Sequence, residues 1–321
     1  MGGMVRSIFS FLIRAAVTAA AFLWIFQKVD FHSLRQAFNN IRLGWIVAGI
    51  TFYFVAQFLC VARWRLLVPA HPALTWKMLA NSYFVGTFFS AFLPTTVGGD
   101  VVRGYDLIKA TGEWRGGLAS ILMDRLMGFL GLTTLALAAW IAFPPARQDP
   151  VLGKSLLGLC VMVTMTFCVL GSRRVLSASL KPFGKIGLGA LQSHARQFQE
   201  TLLDYRRQPK LLAKTFFLSV AVQLLSVLCF LSASRALHLH VPFLFLLLTT
   251  PIVFLVSQLP ISLGGLGVRE QAMILFFQRI GIGATFALSV SLLYAGMPLL
   301  AGAIGGVLFF LRAKKRPPRP S

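Results

Sequence analysis

Charge is scarce in this sequence, and acid is scarcest. Only 12% of the 321 residues are charged, and 9 Asp and Glu stand against 31 Lys and Arg. A soluble domain of this size is about 25% charged. Too little charge remains to give a 57% hydrophobic chain a water-facing surface, so the solvent must be lipid. Cysteine is also sparse. Cys60, Cys160, Cys168 and Cys229 all lie inside apolar runs without metal-ligand spacing, and read as small hydrophobes. The five histidines all fall in predicted loops. No Ser-His-Asp or Cys-His set, metal cluster, acidic repeat or nucleotide-binding motif is visible. An enzyme is therefore not expected, and neither is a cofactor. The net charge of +22 would suggest nucleic acid in a soluble protein. Here the basic residues cluster between apolar runs, which suits anionic lipid head groups and cytoplasmic loops instead.

What the chain has in abundance is apolar length. A spanning helix needs roughly 20 mostly apolar residues. Six segments satisfy this: 5–26, 43–62, 117–142, 152–171, 211–232 and 285–311. Ala19-Ala20-Ala21 imitates a signal-peptidase site, but the run continues past it, so 5–26 reads as an uncleaved span. The basic segments 172–214 and 312–321 belong in the cytoplasm, and loops 143–151 and 233–241, with one arginine each, belong outside. Six spans then place both termini, and the basic stretch 63–77, in the cytoplasm. Within 172–210, residues Leu188, Leu191, Ala195, Phe198, Leu202 and Tyr205 form one apolar helical stripe. This predicts an amphipathic helix packed on the bundle or lying in the interface.

Two further apolar segments, 78–93 and 243–259, end at Pro and then Gly-Gly. Leu93-Pro-Thr-Thr-Val-Gly-Gly-Asp-Val-Val-Arg103 aligns without a gap on Leu259-Pro-Ile-Ser-Leu-Gly-Gly-Leu-Gly-Val-Arg269. Pro94 matches Pro260, Gly98 and Gly99 match Gly264 and Gly265, and Arg103 matches Arg269. Proline ends or kinks a helix, and paired glycine permits positive φ and a sharp reversal. Irregular backbone at membrane depth is tolerated only inside protein or beside a water-filled cavity. Each preceding half-helix, about 16 residues long, reaches roughly 24 Å. The fold class expected is an all-α integral membrane protein: one polytopic helical bundle over 1–321, with about six full spans and two re-entrant helical hairpins. The first repeat lies within 1–143 and the second within 211–311. If both motifs are re-entrant, the three spans between them make the repeat inverted, a transporter signature.

Asp100, Arg103, Asp124, Arg125, Arg269 and Glu270 sit in or beside these segments. A charge at the centre of a spanning helix costs about 2.5–3.5 kcal/mol on insertion scales, so these groups should pair or face a cavity. Adjacent helix residues do not face each other, so Asp124 and Arg125 need partners elsewhere. The candidate pairs are Asp100 with Arg125, Asp124 with Arg103, and Glu270 with Arg269 or with a basic residue of the first motif. Such groups make either a structural ion-pair network or a hydrated cleft whose arginines grip a lipid phosphate bidentately. Asn81, in the first half-helix, either lines that cleft or bonds a neighbouring helix.

The residues Arg63-Trp64-Arg65-Leu66-Leu67, the run Asn81 to Arg103, Asp124-Arg125 with Gly128, and Pro260 to Glu270 resemble the transmembrane region of lysylphosphatidylglycerol synthases, a family also described as flippase-like. The resemblance covers nearly the whole chain. In two-domain relatives this region is thought to move an aminoacylated lipid across the bilayer, while a separate C-terminal domain attaches the amino acid. Because the chain ends in a basic tail, the resemblance implies the translocation half alone. Stand-alone members are associated with varied lipids, so it implies a lipid without naming one. The expectation is a lipid translocator of the cytoplasmic (inner) membrane, acting on anionic or zwitterionic head groups, with a lipid-synthesis enzyme as its candidate partner. Its competitors are a membrane-embedded enzyme acting on a lipid phosphate and an accessory subunit of an envelope-lipid pathway.

Overall fold

The computed structural model describes residues 38–92, 97–172, 199–258, 262 and 265–314, with isolated positions between 16 and 35. Among these residues there is no strand. A long apolar segment can leave water only if its backbone groups bond one another, which a helix achieves within itself. The elements are α1 (Leu43–Leu67), α2 (Trp76–Phe92), α3 (Gly98–Thr111), α4 (Trp114–Ala142), α5 (Pro144–Arg147), α6 (Pro150–Gly171), α7 (Pro209–Ala236), α8 (Phe243–Gln258), α9 (Val268–Gln278) and α10 (Ala284–Lys314).

Five of these, α1, α4, α6, α7 and α10, are long and apolar enough to cross a bilayer. They coincide with five of the six expected spans. Most of the first span, the stripe positions before residue 199 and the end of the basic tail lie outside the described residues. One boundary needs correction. The run 43–62 does not give way to a basic loop at Arg63, because α1 continues to Leu67 and buries both Arg63 and Trp64. The half-helices before the Gly-Gly motifs, α2 with 17 residues and α8 with 16, match the expected length. At about 1.5 Å per residue they reach roughly 24–26 Å, short of a hydrocarbon core about 30 Å thick.

Each motif is followed by a short helix and then a long one: α3 and α4 after the first, α9 and α10 after the second. The repeat seen in the residues is therefore also a repeat of element order.

The chain divides into two compact units. One comprises Met1–Ala56, Asn81–Val102 and Leu224–Ser321; the other comprises Gln57–Ala80 and Arg103–Gln223. In the first unit α9 packs on α8 and α10. A Cβ at Gly49 of α1 would lie 2.6 Å from the Met297 side chain and 3.3 Å from Ser232, so α1, α10 and α7 meet there. In the second unit α4 packs on α6. Residues 199–204 are helical and end in a single 3-10 turn at Tyr205–Arg207. Leu202 joins Leu67, Ala119, Met123 and Met127 in a buried cluster, and the Tyr205 hydroxyl donates to the Leu67 carbonyl at 2.6 Å. The end of the amphipathic stripe thus packs on the bundle.

Candidate functional site

The second unit is organised by one face of α4. Gly117, Ser120, Asp124, Gly128 and Gly131 recur at spacings of three and four, a stripe of small residues interrupted by one acid. Small residues let helices approach closely in a membrane protein. A Cβ at Gly131 would lie 3.0 Å from the Ser219 Cβ and 3.1 Å from its carbonyl carbon, so α7 runs against the stripe. A Cβ at Gly128 would lie 3.6 Å from a guanidinium nitrogen of Arg63.

Into this groove come two arginines. Arg63 Nε donates to Asp124 Oδ1 at 2.7 Å, and Arg103 donates to Asp124 Oδ2 at 3.1 Å. All three side chains are at most 7% exposed. Arg63 also donates to the Ser219 hydroxyl at 2.9 Å. The Arg103 guanidinium lies 4.1 Å from the centre of the Trp64 ring, close enough for cation–π attraction. Trp64 Nε1 donates to Ser120 Oγ at 3.3 Å, fixing the ring. Of the groups in this cluster two are positive and one is negative. Water is displaced from all three, so their mutual attraction must offset a desolvation penalty of several kcal/mol per ion.

The first unit holds a second charged centre, built on the second motif. Gly267 takes φ +81° and leads into α9, whose third residue is Glu270. The Glu270 carboxylate accepts from the Gly267 backbone N–H at 2.8 Å, which is half of a capping box. It also accepts from Arg269 Nε at 2.9 Å and from the Ser291 hydroxyl of α10 at 3.3 Å. Arg269 lies 6.0 Å from the centre of the Tyr294 ring. Tyr294 in turn stacks on Phe230, with centroids 4.2 Å apart. The Glu270 side chain is 2% exposed and that of Arg269 is 16% exposed.

Two glycines hold the motifs against the helices before them. A Cβ at Gly99 would lie 2.5 Å from the Gly86 carbonyl oxygen, and the Gly99 N–H donates to Ser90 Oγ at 3.1 Å. A Cβ at Gly265, the matched position, would lie 2.6 Å from the Ser257 carbonyl oxygen. Gly265 has φ +79°, as paired glycine predicts, whereas Gly98 and Gly99 begin α3 and neither has positive φ. Gly99 is there for close approach, not for backbone freedom.

Two expected pairs are present, Asp124 with Arg103 and Glu270 with Arg269. Asp100 is half-buried in the first turn of α3, and Arg125 is half-buried on α4. Asn81 is half-buried on α2, and its side-chain oxygen lies buried without a hydrogen-bond partner. Pro94, Pro260 and Gly264 lie outside the described residues. Sequence reasoning passed over Arg63, Trp64, Ser219, Ser291 and Tyr294 as site residues. Composition does not separate Arg63 from a cytoplasmic flank; the continuation of α1 through Leu66 and Leu67 is what carries the arginine into the helix.

No curated protein matches the chain. The family model for the lysylphosphatidylglycerol synthase TM region matches residues 11–306. The chain, multi-pass and helical, belongs to that family.

Proposed function

We propose that the protein moves a lipid with a polar or charged head group across the cytoplasmic membrane, with both termini on the cytoplasmic side. Family membership supports a role in handling membrane lipids. The observation that carries the reading further is the convergence of Arg63 and Arg103 on the single carboxylate of Asp124, inside helices. One arginine would suffice to neutralise that carboxylate. A second adds desolvation cost and sets two guanidinium groups on one carboxylate, which suits a site that receives a phosphate and exchanges carboxylate for phosphate contacts. A guanidinium is suited to that exchange because its planar fork matches both anions.

In the other unit, Arg269 supplies a second, more exposed guanidinium held by Glu270. Asp100, Arg125 and Asn81 complete the proposed polar set. Movement of the helix-break-helix elements would carry the head group while the acyl chains stay in lipid. Any coupling would come from ions, protons or gradients. The chain would perform no covalent chemistry on the lipid, and an enzyme that makes the lipid would be its natural partner.

Reconstitution into liposomes with a fluorescent-head-group phospholipid, with chemical quenching of the outer leaflet, tests this. Wild type should equilibrate the leaflets. Arg103→Ala plus Arg269→Ala should slow that at least tenfold while the protein still elutes as a folded species. Unchanged rates would overturn the site. Conversion of the lipid to a new product, read by mass spectrometry, would overturn the non-enzymatic reading.

A further inference from the structure

The face of α4 next to the Asp124 stripe has a different task. Met123, Met127 and Leu130 line an apolar cavity of about 410 Å³, together with Phe167 of α6 and Phe216 of α7. Tyr205 and Arg206 form the end nearest the basic segment. The Tyr205 hydroxyl is already committed to the Leu67 carbonyl at 2.6 Å, and burial pushes its pKa up to about 12, so it stays neutral and turns its ring to the cavity. That leaves Arg206 as the charged group at the wall. Phe217, also in the lining, is 68% exposed, so the cavity reaches the lipid-facing side of α7.

An apolar cavity of this size stays dry, since a water there would find too few polar partners. In a bilayer it fills with hydrocarbon. Burial alone does not select the occupant, because a lipid tail is as apolar as leucine. The selection comes from the rim. Arg206 is in the lining, and Arg207, Lys210 and Lys214, within eight residues of it in sequence, are exposed, against Glu200 and Asp204. Four cations and two anions leave +2 over sixteen residues, 199–214. Juxtamembrane cations of this kind attract anionic lipid.

We propose that this cavity holds one acyl chain of an anionic phospholipid whose phosphate rests against Arg206, with Arg207 and Lys210 beside it. The site lies on a different face of α4 from the Asp124 centre and does not depend on the transport reading.

The test uses the full chain in phosphatidylcholine nanodiscs with phosphatidylglycerol carrying a photoreactive group on one acyl chain. Crosslinked peptides are identified by mass spectrometry. Labelling should fall on the peptides bearing Met127, Leu130 and Phe216, and unlabelled phosphatidylglycerol should compete where phosphatidylcholine does not. Arg206→Glu plus Lys210→Glu should weaken phosphatidylglycerol labelling about tenfold or more. Leu130→Trp should abolish it by filling the cavity. Ala213→Trp is a second blocking variant at an exposed lining position, where folding is not at stake. Equal labelling by the two lipids, labelling that survives both tryptophan variants, or none from any lipid because chain residues fill the space, would each overturn the proposal.

Discussion

The two Pro/Gly-Gly motifs align residue for residue, yet they solve the same problem by different backbone routes. In each, the second glycine is pressed against the helix before the break, with room for no side chain: 2.5 Å to the Gly86 oxygen at Gly99, and 2.6 Å to the Ser257 oxygen at Gly265. At Gly99 the chain is already helical. At Gly265 it has positive φ, and α9 starts only at Val268, three residues after that glycine. The matched arginines diverge likewise. Arg103 finds its carboxylate on the next helix, at Asp124, whereas Arg269 finds it on the adjacent residue, Glu270. In both cases an aromatic ring lies near the guanidinium, Trp64 at 4.1 Å and Tyr294 at 6.0 Å. A repeat therefore conserves a need (a backbone contact, a cation with its anion and ring) more closely than it conserves the residue that meets it.

The sharpest way to break this comparison is to remove each acid. Asp124→Asn removes the charge that Arg63 and Arg103 share inside the helices. Breaking a buried pair in this way costs about 3–5 kcal/mol. Glu270→Gln keeps an acceptor for the Gly267 N–H and leaves one arginine that already touches solvent. A cost of about 1–2 kcal/mol is expected. Thermal unfolding in detergent should show a much lower midpoint for the first variant than for the second. Equal midpoints would mean that the two centres are energetically alike despite their geometry.

The glycines come next. Gly265→Ala adds a Cβ against a backbone oxygen and also forces an L side chain into positive φ, which costs about 1–2 kcal/mol by itself. Gly99→Ala adds only the steric clash. Both should destabilise by about 1–3 kcal/mol through overpacking, with Gly265→Ala the worse by the backbone contribution. If Gly99→Ala proves worse, close approach dominates both breaks and the φ difference is incidental.

Most of the scaffold was legible because its signals are local. An apolar run of twenty residues admits few structures in lipid, and a Pro followed by Gly-Gly admits few continuations of a helix. The Asp124–Arg103 pair was legible because a carboxylate inside a span demands a cation, and the motif supplies one 21 residues earlier. Arg63 was not, since an arginine at the end of an apolar run is indistinguishable by composition from a cytoplasmic flank. Only the phase and full length of α1 show that it points into the bundle. The Glu270 pair broke the rule that neighbours on a helix do not meet, because it lies in the first turn, where the carboxylate folds back to cap Gly267.

Conservative changes at the arginines test whether the ring or the charge matters. Lysine keeps the charge and loses the planar fork and its stacking. Arg103→Lys should cost about 1–2 kcal/mol, given the close, desolvated Trp64 ring, and Arg269→Lys about 0.5–1 kcal/mol at the looser Tyr294 contact. Leaflet-exchange rates measured on the same proteins should fall in the same order. The opposite order would place the working phosphate contact at Arg269.

The finest distinction lies in the hydroxyls that steady each centre. Ser219 accepts from Arg63 at 2.9 Å, and Ser291 donates to Glu270 at 3.3 Å. Both are hydrogen bonds to charged groups, but the shorter one serves a cluster in which two arginines share one carboxylate, so each acceptor matters more. Ser219→Ala should therefore cost about 1.5–2 kcal/mol and Ser291→Ala about 1 kcal/mol or less. A double-mutant cycle between Ser219→Ala and Asp124→Asn should show coupling, because both variants act on the Arg63 guanidinium. The corresponding cycle across the two centres, Ser219→Ala with Glu270→Gln, should be additive. Coupling there as strong as within the first centre would mean that the two centres respond as one, and that the divergence between the motifs is local detail within a single network.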